Sequence, residues 1–561
     1  MPFIMIVFCF IILFSSWLIP NHYSPWSSAW NDAAAITGLL SISICSFFKY
    51  KKNIVAPKIF FIFFIVSIAS IATQYSANHI AFLGDAVVAI LYLSYWLIAI
   101  LISKNISEFF DISLCSFTSK LNIACTLSAI FSTGIAISQW TGALNLGIYG
   151  AELPPNGRPF GNVAQPNHLC TLCFLGICAL FWLHEKQQIG KSGFWVGVLF
   201  LLSGMLLSQS RTGWLQIVLL MVWGSIQSLR MSNRIPPTSL ALLGGIFGAG
   251  VFLWQPLNDL LLLSPGRDLS NQMHPGSRLA YWLSMLDALW REPWWGYGWQ
   301  QVGAAQQNVA IDHPPLTEYF EHSHNLVLDL MLWNGIPLGL VLTALLGFWL
   351  YQQIRSYAHP HTGWLLAALM GLGIHGLLEF PLEYAYFLIP AGLLMGGIEA
   401  SNPQASGRWI TIPHKVFAGS IVAIAAISIM VAGEWLTAEA NYRSLRFESA
   451  SIGEPDTTTE APNLRLLTQL SAFLAFARTE ATPEMSAEQV EWMRQVATRF
   501  GYPPVMFRYA LAAGFHGHAH QAEITLQRIC HIHGPKRCAE AQEGWLLLQQ
   551  QYPQLQKIPG P

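Results

Sequence analysis

Long apolar segments recur along the chain from near its start to about residue 434. Each runs for roughly 16 to 24 residues, which as a helix is enough to cross a hydrocarbon core of about 30 Å. These segments lie at approximately residues 4–19, 31–48, 59–72, 80–101, 121–140, 167–183, 193–208, 212–229, 238–255, 325–350, 363–378, 384–400 and 416–434. The pattern predicts an all-α polytopic membrane protein with about 13 transmembrane helices.

Two polar parts interrupt or follow this apolar pattern. Residues 256–323 form a long loop, and residues 435–561 form a tail in which apolar residues recur at helical spacing between prolines and glycines. We expect a transmembrane catalytic domain over 1–434 and a soluble domain of five or six short helices over 435–561. Such a tail either binds a partner or only stabilises the helix bundle, and the pattern leaves both roles open.

Basic residues predict which side of the membrane each loop faces. They are concentrated in alternate loops, as Lys49, Lys51, Lys52, Lys58, Lys104, Lys120, Lys186, Lys191, Arg230, Arg234, Arg355, Arg408 and Lys415. By the positive-inside rule these loops are cytoplasmic. The N-terminus is then cytoplasmic, while the long loop and the tail are on the outer side. The first apolar segment lacks a basic leader and a cleavage signature, so we interpret it as a retained span.

Composition agrees with a membrane protein and excludes one partner class. The chain is 53% hydrophobic and 11% charged, whereas a soluble domain has roughly 25% charged residues. Its formal net charge is −1, which leaves no basic surplus for nucleic acid.

Cysteines separate into two groups. Most fall in or beside apolar spans, where a thiol behaves as a small hydrophobic group, including the CxxC formed by Cys170 and Cys173. Cys530 and Cys538 lie alone in the polar tail. If the tail is outside the cytoplasm, we expect a disulfide between them.

The first polar segment on the outer side, residues 158–168, runs directly into a span. Pro166 suits the first turn of a helix. A helix cap needs one polar side chain, whereas this segment supplies several, namely Arg158, Asn162, Gln165 and Asn167. We expect a functional role, with an interfacial helix cap as the alternative.

Two arginines follow near the predicted outer surface. Arg211, in QSRTGW, opposes the positive-inside bias, and a guanidinium near hydrocarbon is costly unless it is paired or solvated. Arg278 precedes an amphipathic, Trp-rich stretch predicted to lie along the interface. Because the planar guanidinium binds phosphate oxygens in pairs, two such groups would suit a diphosphate. The alternative is that either side chain only extends to lipid headgroups.

The long loop ends in EHSHNLVLD at residues 321–329, where a span begins. His324 would lie near a helix N-terminus, whose partial positive charge disfavours imidazolium and keeps a neutral ring available as a general base. A metal site built from His313, His322 and His324 is one alternative. A structural pair of histidines is another.

Further ionisable residues surround the next outer turn, in HGLLEFPLEY at residues 375–384. Ionisable residues inside spans usually face a cavity or one another. His375 and Glu379 are four residues apart and would share one helix face. A supporting hydrogen-bonded pair and a direct substrate contact both remain open.

Four of these segments together resemble the bacterial O-oligosaccharyltransferases of the PglL and PilO type, within the superfamily of O-antigen ligases and Wzy polymerases. They are RPFGNVAQPNHL at 158–169, SRTGWL at 210–215, HSHNLVLDLMLWNGIPLG at 322–339 and HGLLEFPLEYAYFLIPAG at 375–392. The resemblance covers most of the chain.

The resemblance implies the residues of the site. An essential histidine of the family precedes an asparagine, which matches His324 and Asn325, and no metal or other cofactor is required. The arginines that hold the donor match Arg211 and Arg278, and a functional glutamine and tyrosine match Gln165 and Tyr384. We add Arg158 to the donor-binding group. Supporting roles are expected for Asn167, His322, His375 and Glu379.

The resemblance also implies the reaction. It predicts en bloc transfer of an oligosaccharide from undecaprenyl diphosphate to a Ser or Thr hydroxyl of an exported protein, such as pilin or a pilin-like subunit, at the periplasmic face of a bacterial inner membrane. The extra soluble tail favours a protein acceptor. An O-antigen ligase or Wzy-type polymerase is the alternative enzyme. A lipid-linked solute transporter or flippase is the alternative of another class, which would place polar groups at the bilayer midplane.

Overall fold

The computed structural model describes residues 2–47, 52–155, 157–231, 234–263, 278–402, 409–450 and 460–561. Lys49, Lys51 and Arg408 of the predicted cytoplasmic loops lie outside these described residues, as does the part of the long loop from 264 to 277. Within them, the chain is mostly helical.

Each predicted apolar segment coincides with a helix. The helices up to residue 449 are α1 (Pro2–Ser15), α2 (Ala29–Phe47), α3 (Lys58–Ser76), α4 (Leu83–Lys104), α5 (Ile106–Phe110), α6 (Leu114–Thr141), α7 (Pro166–Glu185), α8 (Lys191–Ser208), α9 (Arg211–Arg230), α10 (Pro237–Phe252), α11 (Trp254–Leu261), α12 (Arg278–Arg291), α13 (Val302–Val309), α14 (Leu326–Ser356), α15 (Pro360–Gly376), α16 (Ala385–Ser401) and α17 (His414–Ser449).

Not all of these helices are long enough to cross a bilayer. Among the described residues, 8 helices have the necessary length and apolar character, and α10 with α11, bent by 52°, would make a ninth. The prediction of about 13 spans exceeds this number partly because α1 has 14 residues and α15 and α16 have 17 each. A straight span needs about 20 residues. The chain is thus a helical, multi-pass membrane protein, and the full count stays a prediction.

A small two-stranded sheet departs from the all-α prediction. Strand β1 (Ile54–Pro57) pairs antiparallel with β2 (Trp409–Ile412), with Ile54 opposite Ile412. The Asn105 side chain completes the hydrogen bonding of β1, since it accepts from the Val55 N–H at 3.1 Å and donates to the Val55 carbonyl at 2.9 Å. Each strand is only four residues long, too short to give a clear periodic signal in the sequence.

The chain forms two compact units that do not follow chain order. The first comprises Met1–Phe64, Tyr92–His274 and Leu345–Ala426, and the second Ile65–Leu91, Pro275–Ala344 and Ile427–Pro561. The boundary predicted at residue 434 falls inside α17. The division into a catalytic domain and a separate tail therefore stays a prediction.

Helix α7 is the central element of the first unit. All its residues from Asn167 to Leu183 are buried, and it contacts α6, α8, α9 and α15. Gln165 lies at its N-cap, and Pro166 occupies the first turn as predicted, where its missing N–H has no helical partner to lose. Cys170 and Cys173 are unoxidised and buried on this helix; Cys173 Sγ lies 3.3 Å from Thr133 Oγ1.

A buried carboxylate joins two helices of the first unit. Asp32, at the start of α2, accepts hydrogen bonds from the Ser28 hydroxyl at 2.5 Å, the Tyr92 hydroxyl at 2.9 Å and the Ala385 N–H at 2.7 Å. A buried carboxylate is costly unless its oxygens are hydrogen-bonded, and here they accept three bonds. The carboxylate thereby holds the start of α16 against α2.

The helices of the tail pack around an apolar core that also includes Phe82 and Ala310 of the second unit. These helices are α18 (Thr468–Arg478), α19 (Ala487–Arg499), α20 (Pro503–Phe515) and α21 (Ala519–Gln551). Met493, Met506, Ile529 and Trp545 are fully or almost fully buried among them. Four helices are described here, and α21, with 33 residues, is broken at Gly534, so the prediction of five or six short helices stays a prediction.

Cys530 and Cys538 form a disulfide in the tail. They flank a break in α21, where Gly534 has φ of 79° and Pro535 follows. Glycine suits this left-handed conformation because it has no Cβ. The disulfide closes a loop across the break.

We expect labelling to detect this disulfide in the purified protein. A thiol-reactive polymer added to the denatured chain should label two more cysteines after reduction than before. Cys115→Ser, which removes an exposed thiol, should keep this difference, whereas Cys530→Ser with Cys538→Ser should abolish it. Losing so short a loop should lower the free energy of unfolding by about 2–3 kcal/mol. Equal labelling of the wild type with and without reduction would contradict the assignment.

Candidate functional site

Asn325 fixes the start of α14 beside the predicted catalytic histidine. Its side-chain oxygen accepts the backbone N–H groups of Val327 and Leu328, both at 3.1 Å. This is the capping role of asparagine at a helix start, which satisfies donors that have no partner within the helix. His324 therefore immediately precedes a capped helix N-terminus, as the sequence predicts.

The backbone of His324 adopts an unusual conformation that its neighbours impose. Its φ is 58°, in the left-handed region that non-glycine residues rarely occupy. On one side of it, the Ser323 N–H donates to the Asp329 carboxylate at 2.7 Å, and the Ser323 hydroxyl donates to the Asn325 carbonyl at 3.0 Å. Backbone strain of this kind persists only where surrounding contacts determine it, and it is concentrated at functional sites.

Helix α12 holds the same loop from the side. The Tyr281 hydroxyl donates to the His322 carbonyl at 3.0 Å, and the Trp282 indole N–H donates to the Ser323 carbonyl at 2.8 Å. The Phe320 ring lies edge-on to the His324 imidazole, with centroids 5.3 Å apart. The histidine is thus presented from a loop fixed by aromatic side chains and backbone hydrogen bonds.

The imidazole of His324 is neutral at physiological pH. Burial, the positive charge of Arg278 and the neighbouring His322 together lower the pKa of His324 from its usual 6.5 to about 3. Burial and the charge of Arg499 likewise lower the pKa of His322 to about 3. A neutral ring has a free lone pair that can accept a hydrogen bond or a proton, although a pKa this low also makes the ring a weak base.

Arg278, one of the two arginines predicted to bind the donor, is the first residue of α12. The structure brings it within electrostatic range of His324, inside the second unit. Arg211 is the first residue of α9 and belongs to the first unit. Its proposed role as the second donor-binding arginine stays a prediction.

Arg158 supports the turn that precedes Arg211. Its guanidinium donates to the carbonyls of Ser208 and Gln209, both at 3.3 Å, at the end of α8. Gln209 has φ of 47°, so these contacts stabilise a left-handed residue in the short connection to α9. Arg158 therefore positions this turn, and the donor-binding role predicted for it stays a prediction.

Asn167 lies at the centre of a buried polar chain. The Ser210 hydroxyl donates to the Asn167 side-chain oxygen at 2.7 Å, and the Asn167 amide donates to the Glu379 carboxylate at 2.8 Å. These hydrogen bonds join α7 to the start of α9 and to the turn after α15. Asn167 and Glu379 were both predicted as supporting residues, and the structure brings them together.

His375 and Glu379 take different partners. His375 Nδ1 lies 2.9 Å from the Thr171 hydroxyl, which also accepts from the Gln216 amide at 2.9 Å. The pairing of His375 with Glu379 and the direct substrate contact, the two alternatives left open by the sequence, both stay predictions. Both residues make hydrogen bonds to side chains of α7.

Asn162 has a structural role in which it holds the backbone of distant segments and does not cap α7. Its amide donates to the carbonyls of Leu18 and Tyr149, both at 2.8 Å, and its oxygen accepts the Ala151 N–H at 3.0 Å. The amide and the oxygen of its side chain thus both hold backbone groups of other segments. Gln165, at the α7 N-cap, is partly exposed.

The sequence interpretation missed a ring cluster around His168. Its imidazole lies 4.7 Å from the Tyr384 ring and 5.5 Å from the His375 ring, centroid to centroid, and its Nδ1 is 3.2 Å from the Tyr386 hydroxyl. Tyr384 was predicted as a site residue, and the structure places it here. His168 is the last residue of the polar segment 158–168, and this position could have marked it as a candidate site residue.

The sequence interpretation also missed a buried ion pair. Arg499 of the tail donates to both carboxylate oxygens of Asp85, at 3.0 and 3.1 Å, and lies 3.7 Å from the Glu321 carboxylate. Asp85, an acidic residue in the first turn of an apolar helix, was a possible signal. Nothing distinguished Arg499 from the other arginines of the tail.

His313 does not join the histidines of the loop. Its Nε2 lies 3.0 Å from the Asp287 carboxylate, which also accepts from Arg291 at 2.7 Å. Across the described ranges, no three His, Cys, Asp or Glu side chains are grouped as metal ligands would be. The proposed metal set of His313, His322 and His324 therefore has no support from the geometry.

Comparison with known proteins gives three family matches that follow one another along the chain. Residues 159–184 match a family described as protein glycosylation ligase, and residues 196–343 match O-antigen ligase. Residues 363–546 match a family described as virulence factor membrane-bound polymerase, C-terminal. The matched ranges contain the four segments on which the resemblance rests, except for Arg158.

Two characterised relatives are similar over most of the chain. A general O-oligosaccharyltransferase of Acinetobacter baylyi is 26% identical over 548 residues, which is 95% of this chain and 92% of that protein. A ComP-specific O-oligosaccharyltransferase of the same organism is 28% identical over 404 residues, 72% of each chain. These similarities confirm the resemblance predicted from the sequence.

We expect the two loop histidines to make stability depend on pH. Their pKa values are lower in the folded than in the unfolded chain, so only the unfolded chain gains protons as pH falls below 6.5, and stability decreases toward pH 3. At pH 5 the loss should be about 2 kcal/mol for each histidine. Thermal unfolding of the protein in detergent at pH 7 and pH 5 measures it.

The control for this measurement is an exposed histidine of the tail. His322→Gln with His324→Gln should reduce the difference between the two midpoints, whereas His520→Gln should leave it at the wild-type value. An identical pH dependence in all three proteins would show that the loop histidines are not held neutral by the fold.

Proposed function

We propose that this O-oligosaccharyltransferase, a membrane glycosyltransferase of the PglL and PilO type, transfers an oligosaccharide en bloc from undecaprenyl diphosphate to a Ser or Thr hydroxyl of an exported protein. Pilin or a pilin-like subunit is the acceptor we propose. The observation that carries the proposal is the neutral imidazole of His324, fixed beside Arg278 at a helix start.

The proposed reaction needs little covalent chemistry from the protein. The acceptor oxygen attacks the anomeric carbon, the bond from that carbon to the diphosphate oxygen breaks, and the electron pair leaves with the diphosphate. The hydroxyl proton passes to the His324 imidazole. Since the diphosphate is already a good leaving group, positioning and stabilisation of its charge remain the main requirements.

The proposed roles of the arginines follow from their chemistry. A guanidinium remains charged at all physiological pH values and binds phosphate oxygens through paired N–H groups. We assign Arg278 and Arg211 to the donor diphosphate, with Arg158 and Gln165 assisting. Arg278 also disfavours protonation of His324, so the same cation that binds the donor keeps the base neutral.

We further propose the membrane arrangement predicted from the basic loops. About 13 spans in a bacterial inner membrane would place the N-terminus in the cytoplasm and the long loop and tail in the periplasm. The Cys530–Cys538 disulfide supports this side for the tail, because disulfides persist in the oxidising periplasm and are rare in the cytosol.

A polysaccharide or lipid acceptor is the second candidate. It is favoured by the family matches described as O-antigen ligase and as membrane-bound polymerase. The second of these reaches residue 546 and so includes most of the tail. The presence of a tail is therefore weaker support for a protein acceptor than the sequence interpretation assumed, and the experiment has to separate the two acceptors.

Replacing His324 tests the proposed function. The protein is co-expressed with a glycan biosynthesis cluster and candidate pilins, and the acceptor masses are measured by mass spectrometry. His324→Ala should lower pilin glycosylation by about 10²- to 10⁴-fold, the usual contribution of a general base. His520→Ala, at an exposed position in the tail, should retain it.

The possible outcomes separate the two acceptors. Glycan on pilin in the wild type, lost in His324→Ala, supports protein transfer. Glycan on the lipid A core with unmodified pilin would support the ligase. Unchanged pilin glycosylation in His324→Ala would remove the base role.

Chelation tests the proposal that no metal takes part. Purified protein treated with EDTA and transferred to metal-free buffer should glycosylate an acceptor peptide at its untreated rate, because the proposed charge stabilisation comes from arginines. A loss of activity that added Mg²⁺ or Mn²⁺ restores would contradict it.

A further inference from the structure

The tail contacts residues 316–321 of the loop that carries His324. The Leu316 N–H donates to the His531 carbonyl at 2.7 Å, and the Tyr319 hydroxyl donates to the Arg499 carbonyl at 3.1 Å. Nearer the histidine, the Tyr502 hydroxyl donates to the Glu321 carboxylate at 3.2 Å. These contacts lie within the second unit, so they describe one compact body.

Arg499 lies at the centre of these contacts. Its guanidinium is bonded to Asp85 at the start of α4 and also faces Glu321, three residues before His324. The Asp85 side chain is 3% exposed and that of Arg499 16%, so water screens this ion pair poorly. Burial by itself would lower the pKa of Arg499, but Asp85 and Glu321 raise it, and the guanidinium remains charged.

The groups around the Arg499 guanidinium fix its position. Two carboxylates, Asp85 and Glu321, face it, and its own carbonyl accepts a hydrogen bond from Tyr319. Removing one partner of a buried ion pair leaves the other uncompensated, which is more costly than the pair itself. The loop residue in this cluster is Glu321, whose side chain is 42% exposed and lies 3.7 Å from Arg499, so the loop is held by this weaker ion pair together with the Tyr319 and Tyr502 hydrogen bonds.

We propose that the C-terminal tail positions the loop that carries His324. Arg499 is the positioning residue, because it holds Glu321 and thereby sets the place of His324. The inference rests on the proposed role of His324 and gives the tail a part in the reaction. Arg499 does not contact the reacting atoms in this account. It acts through the loop, and misplacement of a catalytic group by about 1 Å can reduce the rate by about 10²-fold.

The chain offers a matched control in the same tail. Arg508 of α20 is also partly buried, but it donates to the carbonyls of Phe476 and Ala477 at 2.7 and 2.9 Å. It thus joins α20 to α18 and has no hydrogen bond or ion pair to the loop among the described residues. Replacing Arg508 should destabilise the tail without moving His324.

The test compares Arg499→Met, Arg499→Lys and Arg508→Met in the full-length protein in detergent. Hydrogen exchange measured by mass spectrometry reports the protection of residues 316–325 directly. We expect faster exchange of this segment in Arg499→Met, partial recovery in Arg499→Lys, and wild-type exchange in Arg508→Met, at a temperature where all variants remain folded. Unchanged exchange of the segment in Arg499→Met would overturn the proposal.

Kinetics provide the second measurement. With a purified lipid-linked donor and an acceptor peptide, Arg499→Met should lower kcat by about 10- to 100-fold and leave the KM for the donor near its wild-type value. Arg508→Met should keep kcat even if its unfolding temperature falls. Equal loss of kcat in both variants would reduce Arg499 to a structural role and overturn the proposal.

The two measurements distinguish this inference from the proposed function. If the wild-type protein transfers no glycan to any acceptor, the proposed function fails, while the exchange data still decide whether the tail holds the loop. If the wild type is active and His324→Ala is inactive, but Arg499→Met retains the full kcat, the inference alone fails.

Discussion

A polar group buried among apolar helices must find its partner inside the protein, because hydrocarbon offers no hydrogen bonds. The first unit meets this constraint at several points by connecting helices through side chains. Asp32 joins α2 to the start of α16, and Asn167 joins α7 to Ser210 and Glu379. The positions of α7, α9 and α15, and hence of the site residues on them, depend on these contacts.

The same constraint explains why several predicted site residues make hydrogen bonds to other groups of the protein. Arg158 holds the turn before Arg211, and Thr171 links His375 to Gln216. Such residues are conspicuous in the sequence because they are polar in an apolar context. Only a few of them have to contact the donor or acceptor, and the others give those few a fixed geometry.

The second unit relies on charge as well as on hydrogen bonds. Arg278 and the burial of the loop keep the His324 imidazole neutral, and Arg499 with its carboxylate partners holds the loop from the tail side. The base role proposed for His324 requires a free lone pair and a fixed position, and these contacts supply both. The tail is in this respect part of the body that carries His324.

The sequence by itself determined the helical membrane fold, the helix starts at Pro166 and Asn325, the disulfide partners in the tail and the place of His324 before a helix. These follow from hydropathy, capping and spacing, which are properties of neighbouring residues. Tertiary structure alone decided the partners of the buried polar groups, because Asn167 and Glu379 are 212 residues apart and Arg499 and Asp85 are 414 apart. It also decided the scaffold role of Asn162 and the left-handed backbone of His324, since no local pattern encodes which distant group a buried side chain will meet.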